Sequence, residues 1–101
     1  MGDLAGAEPL YRRDLEACER TLGKEHPDTL ISVGNMGSLL LQMGDAAGAE
    51  AMHRRNLETR ERTLGNEHPS TKISAQWVRH VLRSKGGCEV EVAALEAAHG
   101  I

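Results

Sequence analysis

Two histidines that recur in the same tripeptide are the first residues of this chain to consider as metal ligands or general bases. His26 and His68 each stand in a Glu-His-Pro sequence, 42 residues apart. Neither has a carboxylate or cysteine partner at the spacing that a metal site or a catalytic pair requires. The duplication itself explains the pair better, so we expect both histidines to have a structural role in connectors, and we expect an oxygen of Asp28 or Thr29 to cap the helix that follows the first connector.

The two cysteines give no repeated framework of disulfides or metal ligands. Residues one period from Cys18 and Cys88 are Arg60 and Ala46, and Cys18 lies on an apolar helical stripe, where a small buried side chain is the usual outcome. This usage favours a reducing, cytoplasmic compartment. The chain also contains no nucleophile elbow, phosphate loop or zinc spacing. We therefore predict no enzymatic activity, no metal and no cofactor.

Charge and hydropathy exclude other classes of partner. Twelve Lys and Arg residues against 15 Asp and Glu give a net charge of −3, which does not attract nucleic acid or an anionic membrane. No apolar run is long enough to span a bilayer, and the acidic start of the chain is not a signal peptide. We expect a soluble protein whose partners are proteins or peptides.

Helices must position any binding residues, because apolar residues recur at three- and four-residue spacing along the chain. Phe is absent and Ala, Leu, Val, Ile and Met supply most of the apolar content, which favours helix-on-helix packing. We predict an all-α fold of about five helices, at residues 4–22, 28–43, a third that repeats the first, 70–85 and 89–98.

The chain repeats itself with a period of 42 residues. Residues 2–30 return as residues 44–72, with roughly two-thirds of the aligned positions identical. Later motifs of the repeat are Asn35-Met36-Gly37, Ala49-Glu50, Arg54-Arg55-x-Leu57-Glu58 and Thr63-Leu64-Gly65, followed by Glu67-His68-Pro69. This pattern resembles the tetratricopeptide repeat, in the 42-residue form found in kinesin light chains and nephrocystin-like proteins.

The resemblance implies antiparallel helix-turn-helix units stacked as a short α-solenoid. Residues 1–101 would form one domain, in which 2–23 is the second helix of a leading unit, 28–65 a full unit, and 70–101 a degraded, capping-like terminal unit. Arg79 departs from the pattern, since it falls one period after Gly37 at a crowded small-residue position. We infer that the fourth helix is either rotated or lies at an end of the stack.

The resemblance also implies a function, because first helices of such units line a concave groove that receives a peptide or a partner helix. Asn35 would then contact the ligand, or else be a packing or solvated residue, and Trp77 would anchor the ligand or cap the core. The stripes that face the groove comprise Ile31, Gly34, Asn35, Ser38, Leu41 and Gln42 in the second helix, and Ile73, Gln76, Trp77, His80, Arg83 and Ser84 in the fourth.

A second hypothesis is that the chain assembles with itself. About two and a half units fall short of the three or more that bury a continuous core, and the first helix lacks a covering partner. Its apolar residues Leu10, Tyr11, Leu15 and Cys18 would then pack on another copy. We expect either a homodimer or a piece of a longer repeat array.

Overall fold

The computed structural model describes residues 3–101, and this range contains helices and connecting turns but no strand. This confirms the all-α prediction; the first residues of the predicted leading unit, including Gly2, lie outside the described range. The five helices are α1 Leu4–Leu22, α2 Pro27–Gln42, α3 Ala46–Leu64, α4 Pro69–Lys85 and α5 Glu89–His99.

Helices α1 and α3 are the second helices of their repeat units, and an aspartate begins each of them. Asp3 accepts a hydrogen bond from the Gly6 amide at 2.9 Å, and Asp45 accepts one from the Gly48 amide at 2.8 Å. A Cβ added at either glycine would overlap the capping carboxylate. The repeated Gly-Asp-x-x-Gly sequence is therefore a helix start in which the glycine leaves room for the cap.

The duplicated histidines begin α2 and α4. The Nδ1 atom of His26 accepts from the Asp28 amide, and that of His68 accepts from the Ser70 amide, each at 3.0 Å. The following proline occupies the first helical position, where no amide hydrogen is needed. The structural role is confirmed, but our expectation that an oxygen of Asp28 or Thr29 caps α2 is wrong, because the imidazole of His26 caps it.

The chain divides into two compact units, Met1–Met52 and His53–Ile101, each of which we describe by itself. In the first unit α1 packs against α2. The inner face of α2 is buried, with Leu30, Val33 and Met36 each at most 5% exposed. Polar links add to this packing, since the Thr29 hydroxyl donates to the Gly23 carbonyl at 2.7 Å.

In the second unit α4 packs against α5 around an apolar cluster. Its buried members are Leu57, Ala75, Val78, Leu82 and Val92. Leu57 lies on α3, so the cluster joins three helices within this unit. Trp77 is not a member, which leaves it available at the surface of α4.

Helix α5 is held by polar contacts as well as by the apolar cluster. His99 is 2% exposed. Its Nε2 lies 2.6 Å from the Glu61 carboxylate, and its Nδ1 lies 2.9 Å from the Leu95 carbonyl. Lys72 donates to the carbonyl of His99. The last helix is therefore fixed to both α3 and α4.

Arg79 also contacts α5. Its Nη1 lies 3.0 Å from Glu96, and the Arg83 guanidinium reaches the same carboxylate at 3.0 Å. The first repeat has Gly37 at this position. In the second repeat the position holds Arg79, which contacts α5, a helix outside the repeat pattern.

Candidate functional site

The outer stripe of α2 is the first candidate surface. Ile31 is 56% exposed, and Asn35 and Gln42 are also exposed, whereas Ser38 and Leu41 are half-buried. The helix places these residues opposite its buried face because exposed and buried positions alternate with the helical period. An isoleucine more than half exposed on a rigid helix is a surface that a partner can cover.

The outer stripe of α4 repeats this surface one period later. Ile73 is 51% exposed and Trp77 is 40% exposed, and they occupy the positions of Ile31 and Asn35. Gln76, Trp77 and His80 line a shallow cavity of about 350 Å³. Three of the six residues predicted for α4 therefore line one cavity.

Sequence reasoning did not assign His53 of α3 to this site. Its ring stacks on the Trp77 indole, with ring centroids 5.1 Å apart and an angle of 4° between the ring planes. The His80 ring contacts the same indole edge-on, with centroids 5.9 Å apart. His53 is 2% exposed, and its Nε2 has no hydrogen-bond partner among the described residues. The available signal was the repeat, which puts His53 at the position of Tyr11.

Burial determines the charge state of His53. Loss of solvent around the ring lowers the pKa of His53 below its ordinary value of 6.5, and repulsion from His80 lowers it further. The imidazole is therefore neutral at neutral pH. A neutral ring stacks on the indole without the cost of a buried charge.

Part of the predicted α4 stripe is already engaged. The Arg83 side chain is 60% exposed, yet its guanidinium pairs with Glu96 of α5. The neighbouring carboxylate fixes the position of this guanidinium, so Arg83 is a directed donor rather than a free charge.

The residues predicted for self-association divide into two groups. Leu10 and Tyr11 are 59% and 40% exposed, whereas Leu15 is 6% exposed and belongs to the core of the first unit. The Cys18 sulfur lies 3.6 Å from the Ser32 hydroxyl and is half-buried. Of the four predicted residues, Leu10 and Tyr11 are therefore the two that are exposed enough to contact another chain.

In the first unit, residues predicted for peptide binding and residues predicted for self-association line the same cavity. Leu10 and Tyr11 line a cavity of about 130 Å³ together with Asp14, Ser32 and Asn35. Asn35 belongs to the predicted peptide stripe, and the two α1 residues belong to the predicted self-association surface. One surface of this unit thus contains members of both.

Within the described part of the chain, no three His, Cys, Asp or Glu side chains come together as a potential metal site. Among the described helices, none combines the length and apolar character that crossing a bilayer requires. His99 and Glu61 form a histidine–carboxylate pair, but the histidine is 2% exposed and the pair fixes α5 to α3.

Comparison with known proteins agrees with the repeat geometry. A family model described as tetratricopeptide repeat matches residues 1–28 and 29–70. The second range takes in α2 and α3, which is one helix-turn-helix pair. A comparison with curated proteins finds no match. The matched ranges cover more than half of the chain, which therefore belongs to the tetratricopeptide repeat family.

Proposed function

We propose that this chain is a non-catalytic interaction module that binds a peptide or a partner helix through the outer stripes of α2 and α4. Tetratricopeptide repeats generally mediate protein–protein interaction. The observation that supports this most is the exposure of an isoleucine at the same position of both first helices, Ile31 and Ile73. Such side chains gain free energy when a partner removes them from water.

The side chains beside each isoleucine give the two stripes different binding properties. In α2 the neighbour is Asn35, whose amide can donate to and accept from a peptide backbone. In α4 the neighbour is Trp77, held in one orientation by the stack on His53. A rigid indole is a strong anchor because little side-chain entropy is lost on binding. Each unit can therefore bind through its own stripe.

We further propose that the repeats are of the 42-residue type that resembles kinesin light chains and nephrocystin-like proteins, within a longer array. The sequence period of 42 residues supports this, and the family match over 29–70 has the same length. Cys18 and Cys88 are both free thiols, which supports a reducing, cytoplasmic location.

Self-association is a second candidate function, supported by the exposure of Leu10 and Tyr11 on adjacent positions of α1. Light scattering over a wide concentration range tests it. A dimer that dissociates in the Leu10→Ser variant but persists in Val90→Ser supports the proposal, because Val90 is 84% exposed on α5. A monomer at all concentrations overturns it.

Panning a library of random peptides on the folded chain tests the main proposal. Selected peptides should lose binding to a variant carrying Ile31→Asp and Ile73→Asp, and should retain binding to Val90→Asp. All three residues are more than half exposed, so the helical content should not change, and circular dichroism checks this. Peptides that bind all variants equally, or a library that yields none, would overturn the proposal.

A further inference from the structure

The small cavity of the first unit has the composition of a site for a cationic side chain. Helix α1 supplies Leu10, Tyr11 and Asp14 to its wall, and α2 supplies Ser32 and Asn35. The Tyr11 ring is 40% exposed, and both Asp14 and Asn35 are exposed. An aromatic ring beside a carboxylate attracts a guanidinium or ammonium group, through the ring face and through charge.

The Asp14 carboxylate is fixed on one side and open on the other. Its Oδ2 accepts from the Ser32 hydroxyl at 2.7 Å, which orients the carboxylate across the α1–α2 contact. The neighbouring cation on α1, Arg12, is paired with Glu8 at 2.5 Å. Asp14 is therefore a preorganised acceptor.

The second repeat shows that this open, acidic form is not a requirement of the fold. One period later the same positions hold Met52, His53, Asn56, Ser74 and Trp77. Trp77 covers His53 by stacking, neutral Asn56 replaces Asp14, and the Ser74 hydroxyl accepts from Arg60 at 2.7 Å. The same positions thus form an open acidic cavity in one unit and a closed neutral stack in the other.

The first unit is also the more acidic of the two in overall charge, as its cavity is. Residues 1–52 contain nine acidic and four basic residues, a formal charge of −5, whereas residues 53–101 contain six acidic and eight basic residues, a formal charge of +2. A basic partner is therefore attracted to the first unit before contact and repelled from the second.

We propose that the first unit recognises a basic segment of a partner protein by inserting one Arg or Lys side chain between Tyr11, Asp14 and Asn35. This rests on the proposed function and specifies the partner of that unit. The aliphatic part of the inserted side chain packs on Leu10, and its charged end reaches the Asp14 carboxylate. Asn35 is then able to bond the backbone of the same segment.

An NMR titration with two blocked pentapeptides tests this proposal. One peptide has a central arginine and the other has norleucine at that place, with glycine elsewhere. The arginine peptide should shift the side-chain amide of Asn35 and the ring signals of Tyr11, and the norleucine peptide should not. The substitution Asp14→Asn, which installs the residue of the second repeat, should weaken arginine binding at least about fivefold.

A second variant tests the cavity rather than the charge. Asn35→Trp, again the residue of the second repeat, should fill the space beside Tyr11 and abolish the shift of the Tyr11 ring signals, which are the readout that remains in this variant. Equal shifts with both peptides, or unchanged binding by Asp14→Asn, would overturn the proposal. So would concentration-dependent shifts at Asn35 without peptide, because these would identify a second copy as the occupant.

The failure of this proposal is distinguishable from that of the proposed function. Library peptides that depend on Ile31 and Ile73 but carry no excess of Arg or Lys would overturn the basic-partner proposal and support the interaction module. Peptides rich in Arg or Lys whose binding is lost in Asp14→Asn would support both.

Discussion

Acidification should destabilise the second unit through His53. The buried ring holds a pKa below the value of 6.5 that it has when exposed in the unfolded chain. As the pH falls below 6.5, the unfolded chain therefore binds a proton that the folded unit does not accept. Stability is present above the unfolded pKa and is lost as the pH falls towards the lowered folded pKa, below which the loss is complete.

The size of the effect follows from this proton linkage. Each pH unit between the two pKa values costs at most about 1.4 kcal/mol of unfolding free energy for one proton. Protonation would also place a charge in the buried site and beside His80, and burial and this repulsion are what lower the pKa of His53. The face of the Trp77 indole attracts a cation, so the stack opposes the loss of stability, which should therefore lie below that upper limit.

The sole tryptophan makes the assay specific, because Trp77 lies in the second unit and the sole tyrosine, Tyr11, lies in the first. Urea unfolding followed by tryptophan fluorescence, at several pH values between about 7 and about 5, gives the pH dependence of unit stability. His53→Tyr, which installs the residue of the first repeat, is the matched control. The same pH dependence in both proteins, or greater stability at lower pH, would refute the reasoning.

Three further substitutions test the packing that positions these surfaces. Leu82 is 1% exposed, so Leu82→Ala should lower the free energy of unfolding by about 2–5 kcal/mol, measured by urea unfolding with Trp77 fluorescence. A loss below that range would place Leu82 outside the core. Glu61→Gln should cost about 1.5–3 kcal/mol by weakening the bond to His99, and hydrogen exchange should accelerate in α5 but not in α1. Asp45→Ala should lower the free energy of unfolding by about 0.5–2 kcal/mol, measured by circular dichroism during thermal unfolding, because it removes the acceptor of the Gly48 amide. An unchanged stability would mean that this amide has another acceptor.

The helices could be predicted from the sequence because their signals are local. Apolar spacing predicts α1 and α4, and a glycine with positive φ ends each of them, Gly23 with φ of 94° and Gly86 with φ of 78°. Even the short α5 was predicted from a run of Ala, Leu and Glu. The histidine caps were not predicted, because Ser, Thr, Asp and Asn lead the preference for that position and Asp28 offered an obvious oxygen.

The long-range contacts could not be predicted from one sequence. Glu61 and His99 are 38 residues apart, and His99 lies where the repeat has ended, so the 42-residue period gives no signal for this pair. The stack of His53 on Trp77 needs the distance and rotation of α3 against α4, which periodicity does not give. The predicted contact stripes and self-association residues stay predictions, although the structure shows that Leu15 is unavailable at the surface.

Both repeats have a ring at the same position of the second helix of the unit, Tyr11 in α1 and His53 in α3. The residue that faces this ring from the first helix of the next unit differs between the repeats. Trp77 is large enough to cover His53, which is 2% exposed, whereas Asn35 leaves Tyr11 at 40%. A repeat fold can therefore change what a unit binds by one substitution at its surface, since the buried residues that specify the helix pair, such as Val33 and Ala75, lie on other faces of the same helices.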